Sequence, residues 1–166
     1  MMGISKFFVG IAIVIFATFC GRLLSKKYKK REEFLKQFRE FNERFLSEIS
    51  YYRRPIGEFI SYYSYQGEFE KLLKNFYQML KEKEDFSYFL SNEEYDFLKK
   101  EEIQMVENYF FMIGKGDSIS QKGYFSSVKD SLEKLQKDAE KDAKRYGELY
   151  TKLGFLCGLL VLILIS

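Results

Sequence analysis

The sequence contains neither histidine nor tryptophan in its 166 residues. Lack of histidine removes the commonest general base, the commonest zinc ligand and every histidine-dependent catalytic triad. Proline occurs once, at Pro55, and cysteine twice, at Cys20 and Cys157. Each thiol lies in an uncharged apolar run, where free cysteine serves as a small packing residue. Two such residues make no disulfide framework, and thiolate chemistry in an aqueous domain is excluded. A lipid-modified Cys20 would need small residues just before it, and Phe19 stands there. Acidic residues are missing from both ends: all 24 lie between Glu32 and Glu148.

The ends carry instead two uncharged runs, residues 7–21 and 153–166. Fourteen or fifteen helical residues rise only about 21–23 Å, short of the roughly 20 residues of an average span. Their neighbours lengthen them. Ile4, Leu23 and Leu24 extend the first, and Lys6 and Arg22 can carry their charges out to the headgroups. Leu149, Tyr150 and Thr151 extend the second, and a tyrosine suits the membrane interface. A cleaved secretory signal is the rival reading of the first run. No small-x-small site closes it, however, and basic residues come immediately after. The expectation is therefore a membrane helix at 4–24, a helical domain at 25–150, and a second membrane helix at 151–166.

Charge sets the expected orientation. Residues 22–31 hold six Lys or Arg and no acid, and basic flanks stay cytoplasmic. The central domain is then expected in the cytoplasm. Once the basic residues flanking the runs are set aside, that domain holds 19 basic against 24 acidic residues. Such an acidic balance repels phosphates, so nucleic acid is not an expected partner. The middle also holds 13 Phe and 12 Tyr, which bury large areas at small rotamer cost.

Scarce breakers and abundant Lys, Glu, Leu and Phe predict an all-α fold: a bundle of about six helices flanked by two transmembrane helices. Phe34, Phe38, Phe41, Phe45 and Ile49 recur at helical spacing. Pro55 ends that helix or opens the next. Ile56, Phe59, Ile60 and Tyr63 mark a short helix that Gly67 breaks. Phe69, Leu72, Leu73, Phe76 and Leu80 mark a third, and residues 81–85 form a charged connection. Ser91-Asn92-Glu93-Glu94 has the form of a capping box. Ile103, Val106, Phe110 and Ile113 face one way in a further helix. Residues 114–117 read as a turn, with Asp117 or Ser118 capping the final helix. That helix is expected over about 118–165, about 70 Å long. Its heptad seam of Phe125, Val128, Leu132, Leu135, Ala139, Tyr146, Leu149 and Leu153 is interrupted only by Asp142.

Catalytic signals are weak. Gly114-Lys115 looks like the end of a phosphate-binding loop, but Tyr109 and Gly116 stand where that loop needs Gly and Ser or Thr. Acid pairs such as Glu93 with Glu94 and Glu101 with Glu102 sit among lysines, as on a solvated helix face. No catalytic residue, metal ligand or cofactor is expected, and the chain is not expected to be an enzyme.

Three segments taken together resemble a known family. They are Leu46-Ser47-Glu48-Ile49-Ser50-Tyr51 with Arg54-Pro55-Ile56-Gly57-Glu58, Ile113-Gly114-Lys115-Gly116-Asp117 with Gln121, and, after Lys152, Leu153-Gly154-Phe155-Leu156-Cys157-Gly158-Leu159-Leu160 opening the second apolar run. In this order, between these runs, they resemble stage III sporulation protein AB of endospore-forming bacteria. The chain departs at Gly116, where the family commonly has a small polar residue. The resemblance implies a likeness to the cytoplasmic helical domain of the type II secretion and type IV pilus platform protein. It also implies a place in an assembly spanning the membranes between mother cell and forespore. The implied partners are a secretion-type ATPase, stage III sporulation protein AA, and other membrane components, with homo-oligomers left open. The implied role is mechanical coupling of that ATPase to the membrane. Family positions map onto Glu48, Tyr51, Pro55, Gly114, Gly116, Asp117 and Gln121, as partner-binding or structural residues. The alternatives are a general secretion or pilus platform protein and an unrelated membrane-anchored adaptor.

Overall fold

A computed structural model describes residues 4–52, 54–82, 90, 94–113 and 118–165. Among the described residues the fold is all α, with no strand. Helix α1 runs Ile4–Ser47 and passes into a π-helical turn, Glu48–Tyr52; α2 is Ile56–Tyr62, α3 Gly67–Glu82, α4 Lys100–Met112 and α5 Ser118–Ile165. The expected membrane helices are not separate elements. They are the apolar ends of α1 and α5, and both helices are long and apolar enough to cross a membrane.

The chain divides into two compact units, both built on α1 and α5. The paired-helix unit comprises Met1–Glu32 and Asp138–Ser166; the aromatic unit is Glu33–Lys137. In the paired-helix unit the helices run antiparallel and touch through small residues. A methyl carbon on Gly154 would lie 2.6 Å from the Ala17 carbonyl oxygen, and one on Gly158 would lie 2.7 Å from the Val14 Cα. A methyl on Gly21 would strike the Tyr150 carbonyl. Glycine is what lets two backbones approach this closely, as in membrane helix pairs. Large apolar side chains face outward: Phe16 is 68% exposed and Leu164 84%. A core helix of a soluble protein would hide these side chains; a bilayer would solvate them.

The seam of α5 differs from the heptad expectation here. Past Ala139 the inward face runs through Ala143, Gly147 and Gly158, all buried. Leu149 and Leu153 are each 44% exposed. An α-helix drifts about 20° per heptad from a strict seven-residue repeat, and Gly154 and Gly158, not the leucines, permit the close approach. The interruption at Asp142 also has a cause. Its carboxylate accepts a 2.8 Å bond from the Arg31 guanidinium, whose residue is 4% exposed. Tyr28 stacks on Tyr146 beside this pair, with ring centroids 5.2 Å apart.

The aromatic unit is packed as its periodicity predicts. Phe34, Phe38, Phe41 and Phe45 of α1 are buried with Phe69, Leu72, Leu73 and Phe76 of α3 and Val106, Phe110 and Ile113 of α4 and its C-terminal end. The Phe41 ring lies edge-on to Phe59 at 5.3 Å and near Phe110 at 5.7 Å, in the arrangement the ring quadrupoles favour. Gly67 opens α3 with φ of 62°, a left-handed conformation that glycine adopts freely. Gln37 clamps the approach to α3: its amide donates to the Gln66 carbonyl at 2.9 Å and its carbonyl accepts the Gln66 N–H at 2.6 Å.

One helix start is corrected. The helix expected near Ser91 begins at Lys100, and residues 94–97 form a turn. Glu102 reaches back to accept the Lys99 N–H at 2.9 Å, which is the half of a capping box open to a lysine, whose side chain has no acceptor. Residues 91–93, most of the expected charged connection and the expected turn at 114–117 lie outside the described residues.

Glycine substitutions test the paired-helix packing. Gly154→Leu drives a side chain into the α1 backbone, and overpacking of this kind costs about 1–3 kcal/mol. Gly123→Ala meets open space and, by helix propensity, gains about 0.5–1 kcal/mol. Thermal unfolding in detergent, monitored by circular dichroism, is expected to fall for the first and hold or rise for the second.

Candidate functional site

The end of α1 departs from regular helix geometry, and it does so within the first of the three segments that carry the resemblance. Single π-turns are rare and frequently mark functional positions. Glu48 opens this one and is buried, 2% exposed. A carboxylate withdrawn from water needs partners, and Arg54 supplies them. Its backbone N–H and Nε donate to Oε1 at 2.9 and 3.0 Å, and an Nη lies 2.8 Å from Oε2. This bidentate fork draws the chain back on itself over six residues. Bonding to the Glu48 carboxylate holds the Arg54 guanidinium above its already high pKa.

Pro55 comes next as the N-cap of α2, with φ −55° and ψ 141°. Its carbonyl accepts from the Glu58 and Phe59 N–H groups at 3.0 and 3.1 Å. Gly57 gives α2 room against α3, since a Cβ there would lie 2.9 Å from the Tyr77 ring. The motif therefore turns the chain, neutralises a buried acid and seats a short helix.

Beside the turn is a cavity of about 160 Å³, lined by Glu48, Arg54, Ile56, Ile113 and Gln121 among others. Two of the residues singled out from sequence, Glu48 and Gln121, thus meet from distant parts of the aromatic unit's sequence. Glu48 is engaged by Arg54. The Gln121 side chain lines the cavity and makes no hydrogen bond to another described residue. Tyr51 points away and is 82% exposed. Gly114, Gly116 and Asp117 lie outside the described residues.

Sequence reasoning did not select the surface that accompanies Tyr51. Tyr52 and Tyr62 are exposed as well, and the Arg54 guanidinium sits over both rings, 5.3 and 4.3 Å from their centroids. Arg44 lies over Tyr63 at 4.6 Å. The dense Tyr-Tyr-Arg-Arg run at 51–54 and Tyr62-Tyr63 were the available signal. The result is an aromatic and cationic surface held rigid from behind by the buried Glu48 carboxylate. Tyrosine and arginine are the side chains protein interfaces favour. Among the described residues no group of His, Cys, Asp or Glu is arranged to hold a metal ion.

A second buried polar element supports the site from within. Tyr109 donates its hydroxyl to Asn42 Oδ1 at 2.9 Å, and Asn42 Nδ2 donates to the Phe125 carbonyl at 3.1 Å. Asn42 and Tyr109 are fully buried. Tyr109→Phe removes the donor and leaves the Asn42 oxygen unpaired, which is expected to cost about 1–3 kcal/mol. Denaturant unfolding of the detergent-solubilised protein measures it.

The tyrosines also set an alkaline limit. Burial pushes the Tyr109 phenol well above its ordinary 10.0 and raises Tyr95, Tyr65 and Tyr124. The folded state keeps protons that the unfolded chain releases above pH 10.0. This contribution is complete below pH 10.0 and is lost as pH rises past it. Tyrosinate absorbance is expected to rise in two stages, exposed rings first and buried rings together with loss of helix. Titration of all rings in one stage, with helicity intact, would contradict this.

The family model described as stage III sporulation protein AB (spore_III_AB) matches residues 6–166. No curated protein and no solved structure matches the chain. The match takes in both apolar runs, the π-turn motif and the aromatic unit. The chain belongs to the stage III sporulation protein AB family.

Proposed function

We propose that this sporulation protein is a non-enzymatic membrane component of a secretion-like assembly between mother cell and forespore, and that it couples a cytoplasmic secretion-type ATPase to that assembly. In this reading α1 and α5 cross the mother-cell (outer forespore) membrane, and the aromatic unit stands in the cytoplasm. The six basic residues of 22–31 hold that side inward.

The observation that carries the proposal is the surface of Tyr51, Tyr52, Tyr62 and Arg54. It is exposed, aromatic and braced by a buried ion pair, as a protein-docking face needs to be. Tyr51 and Tyr52 lie on the turn that directly continues α1, the helix that carries the first apolar run. Force applied to a partner docked on Tyr51 and Tyr52 would pass directly into the backbone of α1, which is stiff. The ATPase and other membrane proteins of the complex are the proposed partners, with the aromatic unit as the acidic, helical contact domain.

Affinity purification of the full-length protein from sporulating cells tests this. A secretion-type ATPase is expected to co-purify. Tyr51→Ser with Tyr62→Ser is expected to weaken that association by at least about 30-fold, the scale of one interface hot spot, while leaving the melting temperature unchanged. Recovery of no ATPase, or equal recovery with the double variant, overturns the proposed contact.

A further inference from the structure

Within the paired-helix unit, α1 and α5 enclose an open groove of about 760 Å³ just past their apolar runs. Its floor is small. Ala143, Gly147, Ser25 and Thr151 line it, and a Cβ on Gly147 would meet nothing within 4 Å. The two hydroxyls are turned back onto their own helices, Ser25 to the Arg22 carbonyl and Thr151 to the Gly147 carbonyl.

The α1 wall is cationic. Arg22, Lys26 and Lys29 stand at i, i+4 and i+7, all exposed and all lining the groove. None of the three forms an ion pair with a described residue. Across the groove Lys144 and Lys152 are already paired, with Glu140 at 2.6 Å and Glu148 at 3.1 Å. Glu32 and Glu148 are the lining acids, and Glu148 is the one that Lys152 answers. Like charges at this helical spacing repel, so the three α1 cations form a site of unmatched positive potential over an empty floor. Exposed leucines flank it, Leu23 and Leu24 on α1 and Leu149 and Leu153 on α5.

We propose that this groove binds the phosphodiester headgroup of an anionic glycerophospholipid. Arg22, Lys26 and Lys29 pair with the phosphate, Gly147 leaves room for the glycerol, and the acyl chains lie along the flanking leucines. A free phosphate offers the same anion but has no use for the leucines, which favours the lipid. The inference rests on the reading of α1 and α5 as membrane helices and is independent of the ATPase. It differs from the diffuse attraction that any basic flank has for an anionic leaflet, because Lys27 and Lys30 carry the same charge and lie outside the groove.

The test is native mass spectrometry of the full-length protein released from phosphatidylcholine nanodiscs doped with phosphatidylglycerol. Phosphatidylglycerol is expected to be retained in preference to phosphatidylcholine. K26Q/K29Q is expected to lower that retention about 30-fold, the effect of losing two charge-assisted hydrogen bonds to the headgroup phosphate. K27Q/K30Q is expected to change it by less than about threefold, since lipid held only by diffuse attraction is shed on release from the nanodisc and only groove-bound lipid is read. Gly147→Leu, which fills the floor without altering charge, is expected to reduce retention as well. Equal losses for the two lysine pairs, equal retention of the two lipids, or full displacement of phosphatidylglycerol by inorganic phosphate would each overturn the site. Failure of the membrane reading is separately visible: the protein would then wash off carbonate-treated membranes, whereas failure of the lipid site alone leaves it bound without headgroup preference.

Discussion

Burying a polar side chain is unfavourable unless its partner is held opposite, and this requirement fixes how α1 meets its neighbours. Three buried polar residues of α1 and the turn that ends it take partners outside that helix. Arg31 is answered by Asp142 of α5, Asn42 by Tyr109 of α4 and the Phe125 carbonyl of α5, and Glu48 by Arg54. Aromatic packing tolerates sliding, because one ring replaces another at similar energy. A hydrogen bond at 2.8–3.1 Å does not. In each unit one polar pair therefore sets the register of α5 against α1, and the rings and glycines fill in around it.

The same logic explains the π-turn. A buried carboxylate at the end of α1 can be satisfied only if the chain folds back far enough for Arg54 to reach it. The extra residue of the wider turn and the fixed φ of Pro55 provide that path. The outer consequence is a set of exposed tyrosines with an arginine laid across them. Structure inside the segment and surface outside it are two faces of a single ion pair, so residues that look architectural also shape an exposed surface of tyrosines.

Much of this architecture was legible from residue order. The all-α fold, the helix over 118–165, and the buried faces of α1, α3 and α4 came from periodicity, because an apolar stripe at 3.6 spacing has one stable use. Gly67 announced itself as a breaker. The start of α4 did not, since Ser91 offered a stronger local capping signal than Lys99, and Glu102 supplies its cap from the opposite direction. The inward face of α5 beyond Ala139 departed from the heptad for a different reason. Leucine outweighs glycine in a hydrophobic pattern, yet in a pair of apolar helices close backbone approach, not side-chain bulk, selects the contact face. Glu48 and Gln121 stand out in sequence for their place in motifs; that they line one cavity, together with Arg54, needed distant parts of the aromatic unit to be folded together.

Sequence alone determined what each segment must do with water: two apolar runs that cannot remain in it, a charged middle that must, and aromatic stripes that leave it. Those are properties of side chains taken one element at a time. The tertiary structure decided who partners whom. It turned Asp142 from an interruption into a counter-ion, Gly154 and Gly158 into a contact face, and Arg54 into the link between a buried acid and a surface of tyrosines. Partnership of this kind depends on distances between residues far apart in the chain, and a one-dimensional pattern carries no distance.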